Sequence, residues 1–366
     1  MKLTTPFLPK HTEYGARMQS MRDWWMPSFY TSIDEEYWRV RNSAGFIDYS
    51  FQSTIAVSGA DAFAFLQQTV VNDLGKIKPG RAQYTNILER NGKFVDETVI
   101  FWVDQDRFII NGGPAPRRGH LVTLLKQWSA GFKVLVEDLD TCFLAVQGPK
   151  SRDILARALD VETLPLMSVR RDKLDGLPVL VARAGYSGEL GFEIYVAPGH
   201  ASRLWDALVE LGRSDDLGPY GVGATALLSI EKGLLAPSDF YPGSTPLELG
   251  LEWTVAFDKG DFNGKGELVR RREAGLQTRL MGFEVDDYAI NAAPGMRLFR
   301  GSRPVGAITF KNLYGPSIRK NVGRCWVESA YANLGEQLEI EYLGERKPVT
   351  LLGYRHYDPD SKRFGS

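Results

Sequence analysis

Two neighbouring carboxylates at the start of a strand are the first residues that could do chemistry. Asp96 and Glu97 follow the turn residues Asn91-Gly92 and precede the apolar residues 98–100. Successive side chains of a strand point to opposite faces, so only one of the two acids can face a given cleft. Such an acid could exchange a proton during catalysis. A hairpin turn with two solvated carboxylates has the same pattern, and this segment alone leaves both interpretations open.

A glycine-rich segment leads to a further carboxylate. Residues 184–191 read Ala-Gly-Tyr-Ser-Gly-Glu-Leu-Gly, and the strand-like residues 192–196 follow them. Glu193 and Tyr195 are two residues apart, so they share one face of that strand. A carboxylate beside an aromatic ring suits a flat heterocycle with N–H donors, because the acid accepts two hydrogen bonds and the ring stacks. An ordinary half-exposed strand would also look like this.

The sequence argues against two common kinds of site. Its 2 cysteines, Cys142 and Cys325, lie far apart, and its 4 histidines are scattered, so we expect no metal site. Residues 221–226 fit the spacing G-x-G-x-x-A of dinucleotide-binding turns. Such a turn follows a buried strand, whereas loop residues precede this one, so we exclude a nucleotide site of that type.

Charge and hydropathy exclude some partners. The formal net charge of −1 creates no field that would attract nucleic acid or an anionic membrane. No apolar region marks the N-terminus, and no run of about eighteen apolar residues occurs. We therefore expect a cytoplasmic protein.

The elements that must position these acids are strands and short helices in mixed order. Residues 32–35 form a Ser-x-x-Glu capping box, which predicts a helix whose apolar stripe runs through Trp38 and Phe46. Helices are also expected after Asp61, around residues 154–159 and over residues 200–211. Alternating apolar residues predict strands at 51–59, 97–103, 107–110, 142–146, 177–182 and 192–196. This order favours an α+β fold over a doubly wound sheet.

The C-terminal part of the chain has a different pattern. From about Arg279, short apolar segments separated by Gly, Pro and Asn replace any helical period. This is typical of a small β-barrel. The last ten residues, 357–366, are polar and are expected to be peripheral.

Short motifs spread over the chain occur in the order and spacing of one family. The chain resembles the aminomethyltransferase (glycine-cleavage T-protein) superfamily, and more closely its tetrahydrofolate-dependent demethylase and methyltransferase branch. The residues that carry the resemblance are Trp25-Met26-Pro27, Gly45-Phe46-Ile47-Asp48, Tyr84, Asn91-Gly92, Asp96-Glu97, Gln147-Gly148-Pro149, Gly185-Tyr186-Ser187-Gly188-Glu189, Gly191-Phe192-Glu193, Leu249-Gly250-Leu251-Glu252-Trp253, Phe262-Asn263-Gly264-Lys265, Val305-Gly306-Ala307-Ile308-Thr309 and Lys320-Asn321-Val322-Gly323.

This resemblance implies an α+β fold of three domains around a central folate cavity. Residues 1–50 and 142–272 are expected to form a discontinuous first folate-binding subdomain. Residues 51–141 would form the second α+β subdomain, and residues 273–366 the C-terminal β-barrel. Tetrahydrofolate is the implied cofactor, with its pterin ring inside the cavity.

The resemblance also implies roles for individual residues. Glu193 would grip the pterin ring, and Glu97 takes the place of the catalytic aspartate of the family. Tyr186 is a second candidate acid or base. The other residues expected to contact the cofactor are Tyr195, Tyr84, Asn111 and Met26. The residues expected to face the substrate are Phe51, Gln52 and Trp25.

Three departures from the family pattern bear on the reaction. Glu97 carries its carboxyl one methylene further than aspartate, and an error near one ångström can cost about a hundredfold in rate. Phe51-Gln52 replaces a His-Met pair, and two arginines of the family are absent from residues 224–231. A missing cation disfavours a substrate held through its carboxylate. The departures therefore favour demethylase-type methyl transfer over the ordinary glycine-cleavage reaction.

Four functions remain open from the sequence. The leading hypothesis is an enzyme that moves a methyl group from a small O-, S- or N-methylated substrate to N5 of tetrahydrofolate. The alternatives are aminomethyl or methylene transfer from an amine, a non-catalytic folate-binding protein, and a subunit of a folate-linked oxidase whose flavin lies on a partner. We expect a monomer or homodimer that acts on a small molecule, without nucleic acid or membrane.

Overall fold

The computed structural model describes residues 2–114, 118–240 and 243–365. The chain divides into two compact units. The first comprises Met1–Ile87, Val95–Thr225 and Lys362–Ser366, and the second comprises Leu88–Phe94 and Ala226–Ser361. The sequence analysis divides the chain more finely, into three domains, and the bounds of those domains stay a prediction.

Helices and strands alternate irregularly along the chain. The helices are α1 (Leu8–Glu13), α2 (Ile33–Asn42), α3 (Ala62–Thr69), α4 (Arg118–Trp128), α5 (Ser151–Leu155), α6 (Ala201–Leu211), α7 (Val222–Lys232), α8 (Lys265–Ala274) and α9 (Lys362–Gly365). The strands are β1 (Arg17–Met21), β2 (Trp24–Phe29), β3 (Gly45–Asp48), β4 (Gln52–Ser58), β5 (Ala82–Leu88), β6 (Phe94–Asp104), β7 (Arg107–Pro114), β8 (Leu135–Asp138), β9 (Cys142–Gln147), β10 (Val169–Leu174), β11 (Leu177–Ala182), β12 (Gly191–Val196), β13 (Gly218–Pro219), β14 (Thr278–Glu284), β15 (Arg297–Arg300), β16 (Arg303–Gly315), β17 (Lys320–Glu328), β18 (Gln337–Tyr342) and β19 (Glu345–Leu352). Most neighbouring strands pair antiparallel, which confirms the predicted α+β class.

Two helix-backed sheets build most of the first unit. One has the strand order β10-β11-β12-β9-β3-β13, and the other has the order β5-β6-β7-β4-β8. Phe192 and Ile194 of β12 pack with Trp205 of α6 in the core of the first sheet. Ile100 of β6 and Ile110 of β7 lie in the core of the second sheet, together with side chains of α3 and α4. Because strand residues alternate, the residues between these positions project from the opposite faces.

The second unit contains a closed six-stranded barrel of strand order β14-β17-β16-β15-β18-β19, in which β19 pairs back to β14. Its core is apolar, and includes Phe283 and Leu351. The barrel begins at Thr278, next to the predicted position, so this prediction is confirmed. A buried ion pair, Arg324 Nε to Asp239 Oδ2 at 2.8 Å, also lies within this unit.

The predicted start of helix α2 is right, but its predicted apolar stripe is wrong. The Ser32 hydroxyl accepts a hydrogen bond from the Glu35 N–H at 3.2 Å, as a capping box requires. The helix ends at Asn42, so Phe46 lies on β3 instead. Trp38 is 38% exposed because the buried face of the helix is the one that carries Tyr37 and Val40.

Residues 362–365 form α9, in which no residue is buried, in agreement with the expected peripheral C-terminus. The Arg363 guanidinium nevertheless lies 2.8 Å from the buried carboxylate of Glu189. Arg183 also donates to the Phe364 carbonyl at 3.0 Å. The helix expected around residues 154–159 is shorter than predicted, since α5 ends at Leu155. No helix within the described residues is long and apolar enough to cross a membrane.

Candidate functional site

A chain of hydrogen bonds joins three polar side chains on the inner faces of the two sheets. The Tyr195 hydroxyl donates to Glu193 Oε2 at 2.6 Å, since both residues project from one face of β12. Asn111 Nδ2 on β7 donates to the Tyr195 hydroxyl oxygen at 2.7 Å. The strand period thus confirms that Glu193 and Tyr195 share a face, and the structure adds Asn111 to them.

Small residues surround Glu193 within its sheet. Ala145 of β9 and Ala182 of β11 lie directly opposite it on the two neighbouring strands. The methyl side chains at both positions are small, so neither neighbouring strand places a bulky group beside the carboxylate. The Oδ1 atom of Asn111 is buried and has no hydrogen-bond partner among the described residues. An unsatisfied buried acceptor costs about 1–3 kcal/mol, so this atom points to a donor supplied by a ligand.

Burial controls the ionisation of this cluster. It raises the pKa of Glu193 to about 7, and the hydrogen bond from Tyr195 opposes that shift only in part. The pKa of Tyr195 lies well above its usual value, because the ring is buried and its hydroxyl contacts the Glu193 carboxylate. Near neutral pH, Glu193 can therefore exchange between its charged and neutral forms.

Aromatic rings form one wall of the same region. Tyr195 lies opposite Phe143 of β9, and the two rings stack with centroids 4.4 Å apart and planes 21° apart. Phe101 of β6 meets Tyr195 edge-on at 5.9 Å. Sequence reasoning did not single out Phe101 or Phe143, because an apolar residue on a buried strand carries no signal of the ligand-facing side.

Tyr49 connects two predicted site residues to this wall. Its ring contacts Phe51 at 5.8 Å, Tyr186 at 6.5 Å and Phe143 at 6.4 Å between centroids. The structure therefore brings Tyr186 and Phe51 together around Tyr49, which sequence reasoning missed. Burial raises the pKa of Tyr49 to about 12, so its hydroxyl stays protonated at neutral pH.

The two adjacent carboxylates of β6 have different partners, as the strand period predicts. Asp96 is 1% exposed and accepts hydrogen bonds from the backbone N–H groups of Gly113 and Glu97, each at 3.0 Å. The bond from Gly113 ties β6 to β7, which gives Asp96 a structural role. Glu97 is part-buried and accepts a hydrogen bond from the Tyr84 hydroxyl. By strand alternation it shares a face with Phe101, so it belongs to the aromatic side of the sheet.

The glycine-rich segment before β12 packs against its own sheet. A Cβ atom at Gly185 would lie 2.1 Å from Gln147 Oε1, and one at Gly191 would lie 2.2 Å from Gln147 Nε2. The Ser187 hydroxyl donates to Gln147 Oε1 at 2.7 Å, and Glu189 pairs with Arg41 at 2.8 Å. These glycines accommodate Gln147, so their presence does not itself indicate a ligand.

Three predicted residues have no described polar or ring contact with this cluster. Met26 is fully buried on β2, and Trp25 on the same strand is 39% exposed. Gln52 begins β4, where its N–H donates to the Tyr49 carbonyl at 2.9 Å. Their assignment to the cofactor and substrate stays a prediction. In the described part of the chain, no group of three His, Cys, Asp or Glu residues is arranged to hold a metal ion.

Comparisons with known proteins agree with this fold. The GCVT N-terminal domain family matches residues 7–259, and the glycine cleavage T-protein C-terminal barrel domain matches residues 278–358. An aminomethyltransferase of Thermoanaerobacter sp. (strain X514) is 32% identical over 367 residues and covers 98% of each chain. One from Caldanaerobacter subterraneus subsp. tengcongensis is 34% identical, covering 98% of this chain and 97% of its own. The crystal structure of glycine cleavage system aminomethyltransferase T from Bartonella henselae matches with a TM-score of 0.90 and 26% identity, over 98% of this chain and 100% of that one.

Proposed function

We infer, from the premise that this chain belongs to the aminomethyltransferase (glycine-cleavage T-protein) family, that it transfers a one-carbon group to tetrahydrofolate. Members of this family are transferases of one-carbon metabolism that use tetrahydrofolate. The finer proposal is that this chain takes a methyl group from a small O-, S- or N-methylated donor and delivers it to N5. The observation that carries the folate part is the buried hydrogen-bonded chain from Asn111 through Tyr195 to Glu193.

The residues of this chain fit a pterin ring. A pterin carries an amino group and a ring N–H side by side, and the Glu193 carboxylate can accept both bonds. The unpaired Oδ1 of Asn111 offers a further acceptor nearby. The alanines that flank Glu193 place no bulky group beside its carboxylate, and the stacked pair Tyr195 and Phe143 supplies an aromatic wall. When bound, tetrahydrofolate supplies a nucleophilic nitrogen, N5.

Glu97 is the acid or base of the proposal. Its carboxyl accepts a hydrogen bond from the Tyr84 hydroxyl, which restricts its rotation. In methyl transfer, Glu97 would take up the proton that the acceptor nitrogen releases, or protonate the leaving group. Tyr186, which contacts Tyr49, is the second candidate for that proton. Orientation and exclusion of water supply the rest of the rate enhancement.

Aminomethyl transfer from an amine is the second candidate. The relatives that are 32% and 34% identical over 98% of this chain carry the name aminomethyltransferase. In that reaction a protonated Glu97 would protonate the departing nitrogen. The two candidates differ in their product, because methyl transfer gives 5-methyltetrahydrofolate and aminomethyl transfer gives 5,10-methylenetetrahydrofolate.

The experiment measures both products in one assay. The protein is incubated with tetrahydrofolate and, in separate reactions, with O-, S- and N-methylated donors or an aminomethyl donor, and the folates are separated by mass. We expect 5-methyltetrahydrofolate from one methyl-donor class. The control variant Glu162→Gln removes an exposed acid and should leave the rate unchanged. If tetrahydrofolate binds but neither product forms with any donor, the protein holds folate without catalysis, and the enzymatic proposal is wrong.

A further inference from the structure

A cavity lies beside Tyr195. It has a volume of about 610 Å³ and lies within the first unit, between β4 and β7 of one sheet and β10, β11 and β12 of the other. Tyr195 lines it, whereas neither Glu193 nor Asn111 does. The ring of Tyr195 is thus a wall shared with the candidate folate site, while the acceptors for a pterin stay outside this cavity.

The inner surface of this cavity is apolar. Ile109, Val179, Leu180 and Val196 line it from the two sheets. A concave apolar surface of this size falls within the usual range of about 300–1,000 Å³ for small-molecule sites. Burial of an apolar body against it would be favourable, because it removes apolar surface from water.

Positively charged side chains also line this cavity. Arg107, Arg171 and Lys173 line the cavity, and Asp172 is the single lining acid that the structure describes. Arg171 already has an ion-pair partner, since its guanidinium lies 2.6 Å from the carboxylate of Asp104. The side chains of Arg107 and Lys173 make no hydrogen bond or ion pair with any residue that the structure describes.

The carboxylate of Asp172, the acid that lines the cavity, already accepts hydrogen bonds from backbone groups. The Asp172 carboxylate accepts hydrogen bonds from the N–H groups of Asp160 at 2.8 Å and Lys173 at 2.7 Å. Its charge is therefore partly satisfied within the chain, which leaves Arg107 and Lys173 as two cations beside an apolar surface. A ligand that complements both features needs an apolar body and a negatively charged end.

We propose that this cavity binds an amphiphilic organic anion, with the apolar body against Ile109 and Val179 and the anionic group at Arg107 and Lys173. Carboxylates, sulfonates and phosphates all accept charge-assisted hydrogen bonds from guanidinium and ammonium groups. Neither Glu193 nor Asn111 lines the cavity, so the proposal does not depend on the proposed function.

The test uses two fluorescent probes with the same apolar body. 8-Anilinonaphthalene-1-sulfonate carries an anionic group, and N-phenyl-1-naphthylamine lacks it. Titration of the full chain should give one sulfonate probe per protein. Arg107→Ala combined with Lys173→Ala should weaken that probe about tenfold and the neutral probe less than about twofold. Arg170→Ala is the matched control, because it removes a charge from the same strand outside the cavity.

Three results would overturn the proposal. The first is equal affinity of wild type and the double variant for the sulfonate probe. The second is an equal loss with the Arg170 control, which would indicate general surface charge. The third is displacement of the probe by saturating tetrahydrofolate, which would make the cavity a part of the folate site. If the double variant has a lower melting temperature than the wild type, the test is repeated with the single substitution Lys173→Glu at an exposed position.

Discussion

Replacement of Glu193 by glutamine should stabilise the protein at alkaline pH while it weakens tetrahydrofolate binding. Burial raises the pKa of this carboxyl from 4.5 to about 7 in the folded protein. The folded state therefore holds the proton more tightly than the unfolded chain does. This contribution to stability is fully present below pH 4.5 and is lost as the pH rises through about 7.

The shift in pKa sets the magnitude. A rise from 4.5 to about 7 corresponds to about 3 kcal/mol at 1.36 kcal/mol per pH unit. At pH 8 the wild type carries a buried carboxylate, whereas Glu193→Gln carries a neutral group of the same shape. We therefore expect the variant to be more stable by up to about 3 kcal/mol at pH 8, and the difference to vanish near pH 4.5.

The assay is urea unfolding of both proteins at pH 5 and pH 8, followed by tryptophan fluorescence. Glu162→Gln serves as the exposed control and should show no difference at either pH. Tetrahydrofolate affinity should fall about a hundredfold in Glu193→Gln, because an amide N–H replaces an acceptor. If Glu193→Gln is no more stable than wild type at pH 8, burial does not govern this carboxyl and the reasoning is refuted.

Four further substitutions test the site and the packing around it. Glu97→Gln should lower turnover about a hundredfold with little change in tetrahydrofolate affinity, and Tyr84→Phe should lower it about tenfold, measured as kcat and Kd. Equal losses of affinity would contradict the assigned roles. Glu189→Gln should destabilise the fold by about 3–5 kcal/mol in urea, since a buried guanidinium 2.8 Å away loses its counter-charge. Gly191→Ala should cost about 1–3 kcal/mol, because its Cβ would lie 2.2 Å from a buried amide nitrogen, whereas Gly199→Ala meets nothing within 4 Å. Similar melting temperatures for the two alanine variants would contradict that account.

Local periodicity was enough to predict much of the fold. The capping box placed the start of α2, and alternation placed β4, β6, β7, β11 and β12. The same alternation put Glu193 and Tyr195 on one face and separated Asp96 from Glu97. All of these features depend on residues close in sequence, where the strand and helix periods act directly.

Contacts between distant residues were beyond this reasoning. Asn111 and Tyr195 are 84 residues apart and lie on different sheets, so no local pattern links them. The roles of Tyr49 and Arg363 were missed for the same reason, since tertiary packing alone brings them to their partners. The glycines at 185 and 191 are a further example, because their neighbour Gln147 is distant from Gly185 and Gly191 in sequence.

The acidic residues in and around this site fall into two groups according to their hydrogen-bond and ion-pair partners. Asp96 accepts hydrogen bonds from backbone N–H groups, and Glu189 pairs with Arg41, so both carboxylates have partners within the fold. Glu193 instead accepts the Tyr195 hydroxyl, which stabilises a carboxylate less than a cation would. A buried acid of the second group lowers the stability of the unliganded protein above its pKa, and a ligand with N–H donors removes that cost. Such a position is expected where selection acts on binding rather than on stability, and this is why Glu193 is the strongest single argument for a folate site in this chain.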